Sequence, residues 1–229
     1  MSEHERIYRE QASGYDDMIS RQPNLATCIR EIRPWAGLDV LDLGAGSGRL
    51  SSFLAAEADS LICTDKSEAM LELLDRKLSG LYSTRNWRTA CADHRSLPLA
   101  DSSVDLVIAG WTISYLTNSD EPDWENNLER IMGELTRVLK PGGTIIIMET
   151  MGTGCETPQA PPFLDGYYSL LEQRYGFSHR WIRTDYEFAS VEDARARTEF
   201  FFGEGLARLI EEKQWRIVPE CAGIWWKHV

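Results

Sequence analysis

Three glycines and one aspartate give the clearest chemical signal in the sequence. Gly44, Gly46 and Gly48 stand at alternate positions in VLDLGAGSGRL, directly after an apolar run that contains Asp42. Glycine tolerates positive φ and has no side chain, so this spacing predicts a sharp turn whose backbone can approach a ligand closely. A helix is expected after the turn, and its free N–H groups favour a nucleotide-type ligand.

The same residues narrow the class of nucleotide. The spacing is G-x-G-x-G, whereas a dinucleotide fingerprint needs G-x-G-x-x-G, and no lysine follows for a triphosphate. A carboxylate at Asp42 would repel a pyrophosphate but suits an ammonium group. Asp65 ends the next apolar run, where an acid can accept hydrogen bonds from both ribose hydroxyls. Two plainer interpretations stay open: a tight turn without a ligand, and a helix cap at Asp65.

The elements that position these residues follow from hydrophobic patterning. Apolar runs predict buried strands, and one segment carries a continuous helical stripe before a Pro-Gly-Gly stop. Strands that alternate with helices are typical of a parallel sheet with helices on both faces. The predicted strands are 38–43, 61–64, 87–92, 104–109 and 144–148, and the predicted helices are 50–58, a segment capped by Ser67, and 123–139.

The chain after residue 149 follows another pattern. It is expected to contain a loop, a tyrosine-rich helix, a strand in which apolar and polar residues alternate so that one face is more solvent-exposed, a long helix and closing strands. Three consecutive phenylalanines, Phe200 to Phe202, cannot all face the core from one helix, so one is expected at a partner surface or a pocket. In order, these elements are a loop at 151–162, a helix at 163–175, a strand at 182–188, a helix at 190–213, and one or two strands over 215–226 broken near Pro219.

The composition is that of an ordinary globular protein with an acidic surface. Of the 229 residues, 43% are hydrophobic and 26% are charged, and the net charge is −12. Nucleic acids require a positive surface, so DNA or RNA is disfavoured as a partner. The acidity favours either solubility or cationic small molecules. No apolar run is long enough for a membrane span, and the polar start of the chain predicts a helix rather than an export signal.

Five scattered cysteines bear on metals and on the compartment. Their odd number and the lack of a C-x-x-C pair argue against a disulfide framework and a zinc site, so no metal is expected. Cys63 and Cys91 fall in predicted strands and are expected to be small buried residues. Free thiols are typical of a reducing compartment, which predicts the cytoplasm.

Four segments resemble a known family. VLDLGAGSGRL, TDKSEAML, ADHRSLPLADSSVDLVIAGW and RVLKPGG are similar to successive signature segments of class I S-adenosylmethionine-dependent methyltransferases, and they span residues 38–150 in the right order. The resemblance implies an α/β fold with a Rossmann-like, doubly wound, seven-stranded sheet, mostly parallel with an antiparallel last strand. It also implies S-adenosyl-L-methionine as the cofactor, with S-adenosyl-L-homocysteine as its product.

By this resemblance each strand end contributes one part of the cofactor site. The glycine turn and its aspartate would hold the methionine end, the acid after the second strand the ribose, and the acid after the third strand the adenine amino group. The end of the fourth strand would line the methionine moiety. For His94, stacking or packing is favoured over proton transfer. The implied cofactor-binding residues are Asp42, Gly44, Ala45, Gly46, Gly48, Asp65, Lys66, Ala92, Asp93, His94, Gly110 and Trp111.

Methyl transfer needs alignment first and a base only in some cases. The sulfonium already makes the methyl group electrophilic, and alignment can contribute about 7–11 kcal/mol of the barrier. A base adds about 2–5 kcal/mol, so no catalytic residue is assigned. Aromatic side chains outside the shared core are expected to form the acceptor pocket, although about half of them should be core residues. The candidates are Tyr8, Tyr15, Trp111, Tyr115, Tyr168 and Trp181.

We therefore interpret residues 1–229 as one methyltransferase domain, with an N-terminal helical cap (1–37), a cofactor-binding core (38–150) and a substrate-side insertion with closing strands (151–229). The expected function is methyl transfer to a small-molecule acceptor by a monomer or homodimer, with neither nucleic acid nor membrane as a partner. Three alternatives stay open: a protein that binds S-adenosylmethionine without methyl transfer, a protein or RNA methyltransferase, and a nicotinamide oxidoreductase.

Overall fold

The first two thirds of the chain form the parallel part of a seven-stranded sheet. The computed structural model describes residues 6–7 and 10–229. The first strand lies at the centre, and its Leu41 is aligned with Ile62 on one neighbour and Val107 on the other. The five strands are β1 (Asp39–Leu43), β2 (Ser60–Asp65), β3 (Trp87–Cys91), β4 (Val104–Gly110) and β5 (Leu139–Thr153).

The last third of the chain completes the sheet. β6 (Ser178–Arg183) lies at the edge, and β9 (Glu220–His228) is antiparallel to both β5 and β6. The strand order is β3-β2-β1-β4-β5-β9-β6, which confirms the predicted mostly parallel sheet with an antiparallel last strand. β7 (Tyr186–Glu187) and β8 (Ile217–Val218) form a separate two-stranded sheet.

Helices cover both faces of the sheet, as predicted. Adjacent strand residues point to opposite faces: Leu41 packs in one core and Val40 in the other. Ser67 and Ser190 accept the N–H of Met70 and Asp193 through their hydroxyls and so cap the two helices that follow them. The helices are α1 (Ala12–Ile19), α2 (Ala26–Ile32), α3 (Ser51–Leu54), α4 (Glu68–Leu81), α5 (Ser114–Thr117), α6 (Trp124–Val138), α7 (Asp165–Gln173) and α8 (Val191–Lys213), with a 3₁₀ turn at Pro162–Leu164.

A third core joins α1 to α8. Phe201 lies 5.1 Å from the ring of Tyr15, and Phe202 lies 6.0 Å from Tyr186. All three consecutive phenylalanines are partly buried against this core. Gly203, at φ 79° and ψ 178°, breaks α8 directly after them. The helix predicted as one piece is therefore kinked at Gly203.

Three boundaries differ from the predictions. The strand predicted at 182–188 is β6 at Ser178–Arg183, because the edge strand follows its pairing with β9 and leaves the sheet where Asp185 forms an ion pair with Arg183. The helix predicted at 50–58 is only α3, Ser51–Leu54. The loop predicted from 151 begins later, because β9 also pairs with β5 as far as Thr153.

The cysteines of β2 and β3 differ in burial. Cys63 lies in an interior strand and is buried, as predicted, but Cys91 is exposed, so that prediction was wrong. Its strand lies at the edge of the sheet, where the last residue has no neighbouring strand on one side. All five cysteines are free.

Leu135→Ala tests the core between α6 and the sheet. Leu135 is fully buried, and its truncation should lower the free energy of unfolding by about 2–5 kcal/mol through lost burial and a cavity. Arg130→Ala on the exposed face of the same helix is the control, with an expected change within about 0.5 kcal/mol. Urea denaturation measures both, and equal losses would contradict the assigned helix face.

Candidate active site

The glycine turn lies at the carboxyl edge of the sheet, directly after the central strand β1. Gly44, Gly46 and Gly48 have φ of 67°, 53° and 88°, the left-handed region that glycine adopts without strain. A Cβ atom at position 44 would lie 2.0 Å from Thr112 Oγ1, whereas one at position 46 would meet nothing within 4 Å. The turn therefore packs tightly against the segment after β4 and is open at Gly46.

Asp65, at the end of β2, is bound to the same turn. Its Oδ2 accepts the N–H of Gly46 at 2.9 Å, and its Oδ1 accepts the N–H of Ser67 at 2.8 Å. Asp65 therefore supports the start of α4, because it binds the capping residue Ser67. It also lies beside the glycine turn, where an acid that binds a ligand was expected. Each carboxylate oxygen keeps a second lone-pair site for another donor. Lys66, next to it, is exposed.

Asp42 is buried rather than placed at the open side of the turn. It is 1% exposed, and its Oδ2 accepts the hydroxyl of Ser51, the first residue of α3, at 2.5 Å. Burial raises the pKa of Asp42 to about 7. Neighbouring Ala45 is also buried and donates its N–H to Thr64 O at 2.8 Å.

The end of β3 brings three more predicted residues to the same edge. Ala92 donates its N–H to Asp65 O at 2.9 Å. Asp93 accepts the Nε and Nη2 of Arg95 at 2.9 Å and 2.6 Å, and these bonds lower its pKa to about 2. His94 is buried, and its Nε2 lies 2.8 Å from Thr112 Oγ1. Burial lowers the pKa of His94, which favours a neutral, packed ring.

The end of β4 completes the edge. A Cβ atom at Gly110 would lie 2.9 Å from Leu50 Cδ1, so this position has little room for a side chain. Trp111 has a φ of 52°, which is unusual for a bulky residue and is found mainly at functional sites. The guanidinium carbon of Arg49 lies 4.0 Å from the centre of the Trp111 ring.

The candidate acceptor residues fall into separate places. The Trp111 ring is in contact with the guanidinium of Arg49. Arg49 in turn interacts electrostatically with Tyr15 and Tyr186. Tyr115 joins them as an electrostatic neighbour of Tyr186.

The other candidates lie elsewhere. Tyr168 is a core residue that stacks on Trp225 at 4.5 Å and donates its hydroxyl to Thr150 O, and Trp181 is 45% exposed on the edge strand β6. Tyr8 lies outside the described residues.

Three charged residues at this edge are absent from the sequence predictions. Arg49 follows the glycine turn, Glu149 lies in β5 directly after the last residue paired with β4, and Glu220 begins β9. Burial raises the pKa of each glutamate to about 7. Each glutamate interrupts an apolar run, Glu149 in IIIMET and Glu220 in VPECAGIWW. A charged residue in such a run is seldom buried without a role, so this pattern could have identified both from the sequence.

Within residues 6–7 and 10–229, His, Cys, Asp and Glu side chains form no cluster suited to a metal ion. In that same part of the chain, every helix is too short or too polar to cross a membrane.

A glycine turn at the carboxyl edge of a doubly wound sheet, with an acid on the next strand, defines a nucleotide-binding protein of the Rossmann-like class. Residues 41–147 match a family described as a methyltransferase domain. A demethylmenaquinone methyltransferase of Clavibacter sepedonicus is 40% identical over 139 residues, which are 60% of this chain and 49% of that protein. Residues 41–147 are therefore a methyltransferase domain of the class I S-adenosylmethionine-dependent family, whose cofactor is S-adenosyl-L-methionine.

Solved structures share the fold. A methyltransferase from Aquifex aeolicus described as SAM-dependent is 19% identical, with a TM-score of 0.58 over 89% of this chain and 88% of that one. A phosphoethanolamine N-methyltransferase 1 of Haemonchus contortus, in complex with phosphoethanolamine and S-adenosylhomocysteine, is 17% identical, with a TM-score of 0.53 over 91% and 43%. The chain spans 21% to 56% of the length of eight curated relatives, so activity and acceptor are matters of proposal.

Gly44→Ala tests the close approach of the turn to Thr112. The added Cβ has no room, and the left-handed φ disfavours alanine, so a loss of about 2–5 kcal/mol in the free energy of unfolding is expected. Gly46→Ala is the matched control, since it has the φ penalty of about 1–2 kcal/mol but open space. Thermal and urea unfolding compare the two, and a larger loss for Gly46→Ala would contradict this packing.

Asp42→Asn tests the buried carboxyl. The folded pKa of about 7 lies above the ordinary 3.8, so the folded state binds the proton more tightly and loses stability as pH rises between these values. Asparagine keeps an acceptor for Ser51 but does not titrate. The fall in unfolding free energy from about pH 5 to about pH 8 should be smaller in the variant, by up to about 3 kcal/mol. An unchanged slope in urea titrations would exclude this role.

Proposed function

We propose that the protein is an S-adenosylmethionine-dependent methyltransferase that methylates a small-molecule acceptor. The observation that carries the proposal is the hydrogen bond between Asp65 and the open centre of the glycine turn at Gly46. It places a carboxylate for ribose hydroxyls directly beside a backbone surface that a ligand can approach.

The donors and acceptors of this edge fit the cofactor. The spare lone-pair sites on Asp65 suit two ribose hydroxyls, and the open side of Gly46 suits the methionine end. Asp93 can accept an adenine amino group through Oδ2, which accepts only one bond from Arg95, whereas Oδ1 already accepts two. His94 is expected to pack as a neutral ring beside the base, with Ala92 on the other side.

The remaining cofactor residues shape the site. Gly44, Ala45 and Gly48 let the backbone make the turn, Asp42 supports it through Ser51, and Gly110 with Trp111 would line the methionine moiety. When bound, the cofactor supplies a methyl group made electrophilic by its sulfonium. The task of this chain is then to align the acceptor and exclude water, which can contribute about 7–11 kcal/mol.

A small-molecule acceptor is supported by charge and by relatives. The net charge of −12 disfavours a nucleic acid. Two similar proteins are named for demethylmenaquinone and phosphoethanolamine, which are small molecules. Trp111, Tyr15 and Tyr115 are the proposed acceptor-side aromatic residues, because they share the neighbourhood of Arg49 and Tyr186.

Calorimetry with S-adenosylhomocysteine tests the proposal, together with Asp65→Ala. The wild-type protein should bind this ligand, and the variant should bind it about 1.5–3 kcal/mol more weakly through lost charge-assisted hydrogen bonds. Asp59→Ala removes the same charge at the opposite, amino end of β2, where Asp59 is exposed, and should leave the affinity unchanged.

Three results would count against the proposal. Absence of binding by the wild-type protein at high ligand concentration would overturn the function itself. Equal affinities of Asp65→Ala and the wild type would reject only the ribose assignment. Binding without turnover on any acceptor would leave a sensor of the cofactor rather than an enzyme.

A further inference from the structure

Arg49 is a partly buried cation with an unused, buried hydrogen-bond donor. It follows the glycine turn, and its guanidinium lies over the Trp111 ring. Its Nη2 is buried and has no hydrogen-bond partner, and burial lowers its pKa. A buried guanidinium without a partner is costly, so such a group is typically kept for a ligand.

Glu220 is a buried acid with an unused acceptor at the same edge. It is 3% exposed, and it begins β9 opposite Thr153 at the carboxyl end of β5. Its Oε1 accepts the hydroxyl of Thr150 at 3.5 Å, but its Oε2 is buried without a partner. Arg49 is the cation that interacts with it electrostatically, yet within the described part of the chain the two form no ion pair.

Aromatic residues lie near each of these two charges. Trp111 lies against Arg49, and Tyr186 has Glu220, Arg49, Tyr15 and Tyr115 as its electrostatic neighbours. Such walls suit a flat ring, which can stack on them while its polar group reaches the charged end.

The charges select the polar group of the acceptor. An ammonium group would be repelled by Arg49, whereas an oxygen that gains negative charge would be stabilised by its free Nη2. The free Oε2 of Glu220 needs a hydrogen-bond donor, and a hydroxyl provides one. A hydroxyl that loses its proton during reaction satisfies both atoms.

We propose that the acceptor bears an acidic aromatic or enolic hydroxyl, whose oxygen is bound by Arg49 and whose proton is taken by Glu220. This rests on the proposed methyltransferase function and names the acceptor class for the same site. The acceptor O–H bond breaks and its proton goes to Glu220 Oε2. The oxygen keeps the electron pair and uses it for the new O–CH₃ bond. The positive charge lost at the sulfonium, which becomes a thioether, balances the charge neutralised at the glutamate.

The surroundings of Glu220 suit a group that gains and loses a proton near neutral pH. Burial raises its pKa to about 7, against the lowering effects of hydrogen bonding by Thr153, of the charge on Arg49 and of hydrogen bonding by Thr150. The other ionisable groups that face it are Asp185, which also accepts its backbone N–H, together with Tyr186 and Cys221. A base with a pKa near the working pH transfers protons most effectively.

Glu149 is a buried glutamate at the same edge that serves as a matched control. Its Oε1 and Oε2 accept the N–H and the hydroxyl of Ser114 at 3.0 Å and 2.9 Å. Both oxygens are therefore already used to hold the start of α5, and this glutamate has no part in the proposed proton transfer.

The test uses 3-nitrophenol, whose ionised form absorbs visible light, with the protein saturated by S-adenosylhomocysteine. Its pKa lies more than one unit above that of Glu220, so Glu220 is mostly ionised and can take a proton at the pH of the test. The pH is set about one unit below the pKa of the free probe, where about a tenth is ionised in water. Binding to the wild type should raise the ratio of ionised to neutral probe at least about tenfold. In weak buffer no proton should be released, because Glu220 takes it.

Three variants distinguish the roles. Arg49→Met should abolish the rise in ionised probe. Glu220→Gln should either leave the bound probe neutral or release about one proton per ionised probe to the buffer, as the site then lacks its proton acceptor. Glu149→Gln should behave like the wild type in both readouts.

Calorimetry of S-adenosylhomocysteine separates this inference from the function on which it rests. If the ligand fails to bind the wild type, the proposed function fails. If it binds and the probe is not ionised, or if Arg49→Met or Glu220→Gln matches the wild type, the hydroxyl acceptor and its assigned residues are overturned. Variants that retain wild-type affinity for this ligand are folded, so their probe readouts can be compared directly.

Discussion

The hydrogen bond from the N–H of Gly46 to Asp65 is the contact on which the candidate site depends. Parallel pairing aligns Leu43 with Thr64, so the carboxyl ends of β1 and β2 lie side by side. The N–H of Ala45 then bonds to Thr64 O at 2.8 Å, which brings Gly46 to the carboxylate at 2.9 Å. The turn is held on its other side by Thr112, whose hydroxyl leaves no room for a side chain at position 44. Backbone pairing and one missing Cβ thus create the site.

Three buried acids at the same edge of the sheet differ in how completely their carboxyl oxygens are hydrogen-bonded. Asp42, Glu149 and Glu220 all have a pKa raised to about 7 by burial. Asp42 is bound by Ser51 and Glu149 by Ser114, and each of these bonds holds the start of a short helix. Glu220 keeps a buried oxygen without a partner. Since buried polar groups are normally paired, the unpartnered oxygen distinguishes Glu220 from the two acids that support the scaffold.

The sequence predicts the first 150 residues well because local chemistry dictates them. Apolar runs, the glycine turn and the Pro-Gly-Gly stop all act within a few residues, and the parallel sheet that they imply is the one observed. Prediction fails where pairing with distant residues decides. The bounds of β6 depend on β9, some 40 residues further on, and the burial of Cys91 depends on which strand lies at the edge.

The charged acceptor-side residues could not be assembled from sequence for the same reason. Arg49 belongs to the segment that makes the cofactor turn, but Tyr186 and Glu220 come from the far end of the chain, and Tyr15 from α1. Only the closing of β9 against β5 brings Glu220 to the edge where Arg49 lies. The cofactor side is built from neighbouring strand ends and the acceptor side from distant segments. Changes in the distant segments can therefore alter the acceptor without disturbing the glycine turn, and Arg49 is the residue through which the two sides meet.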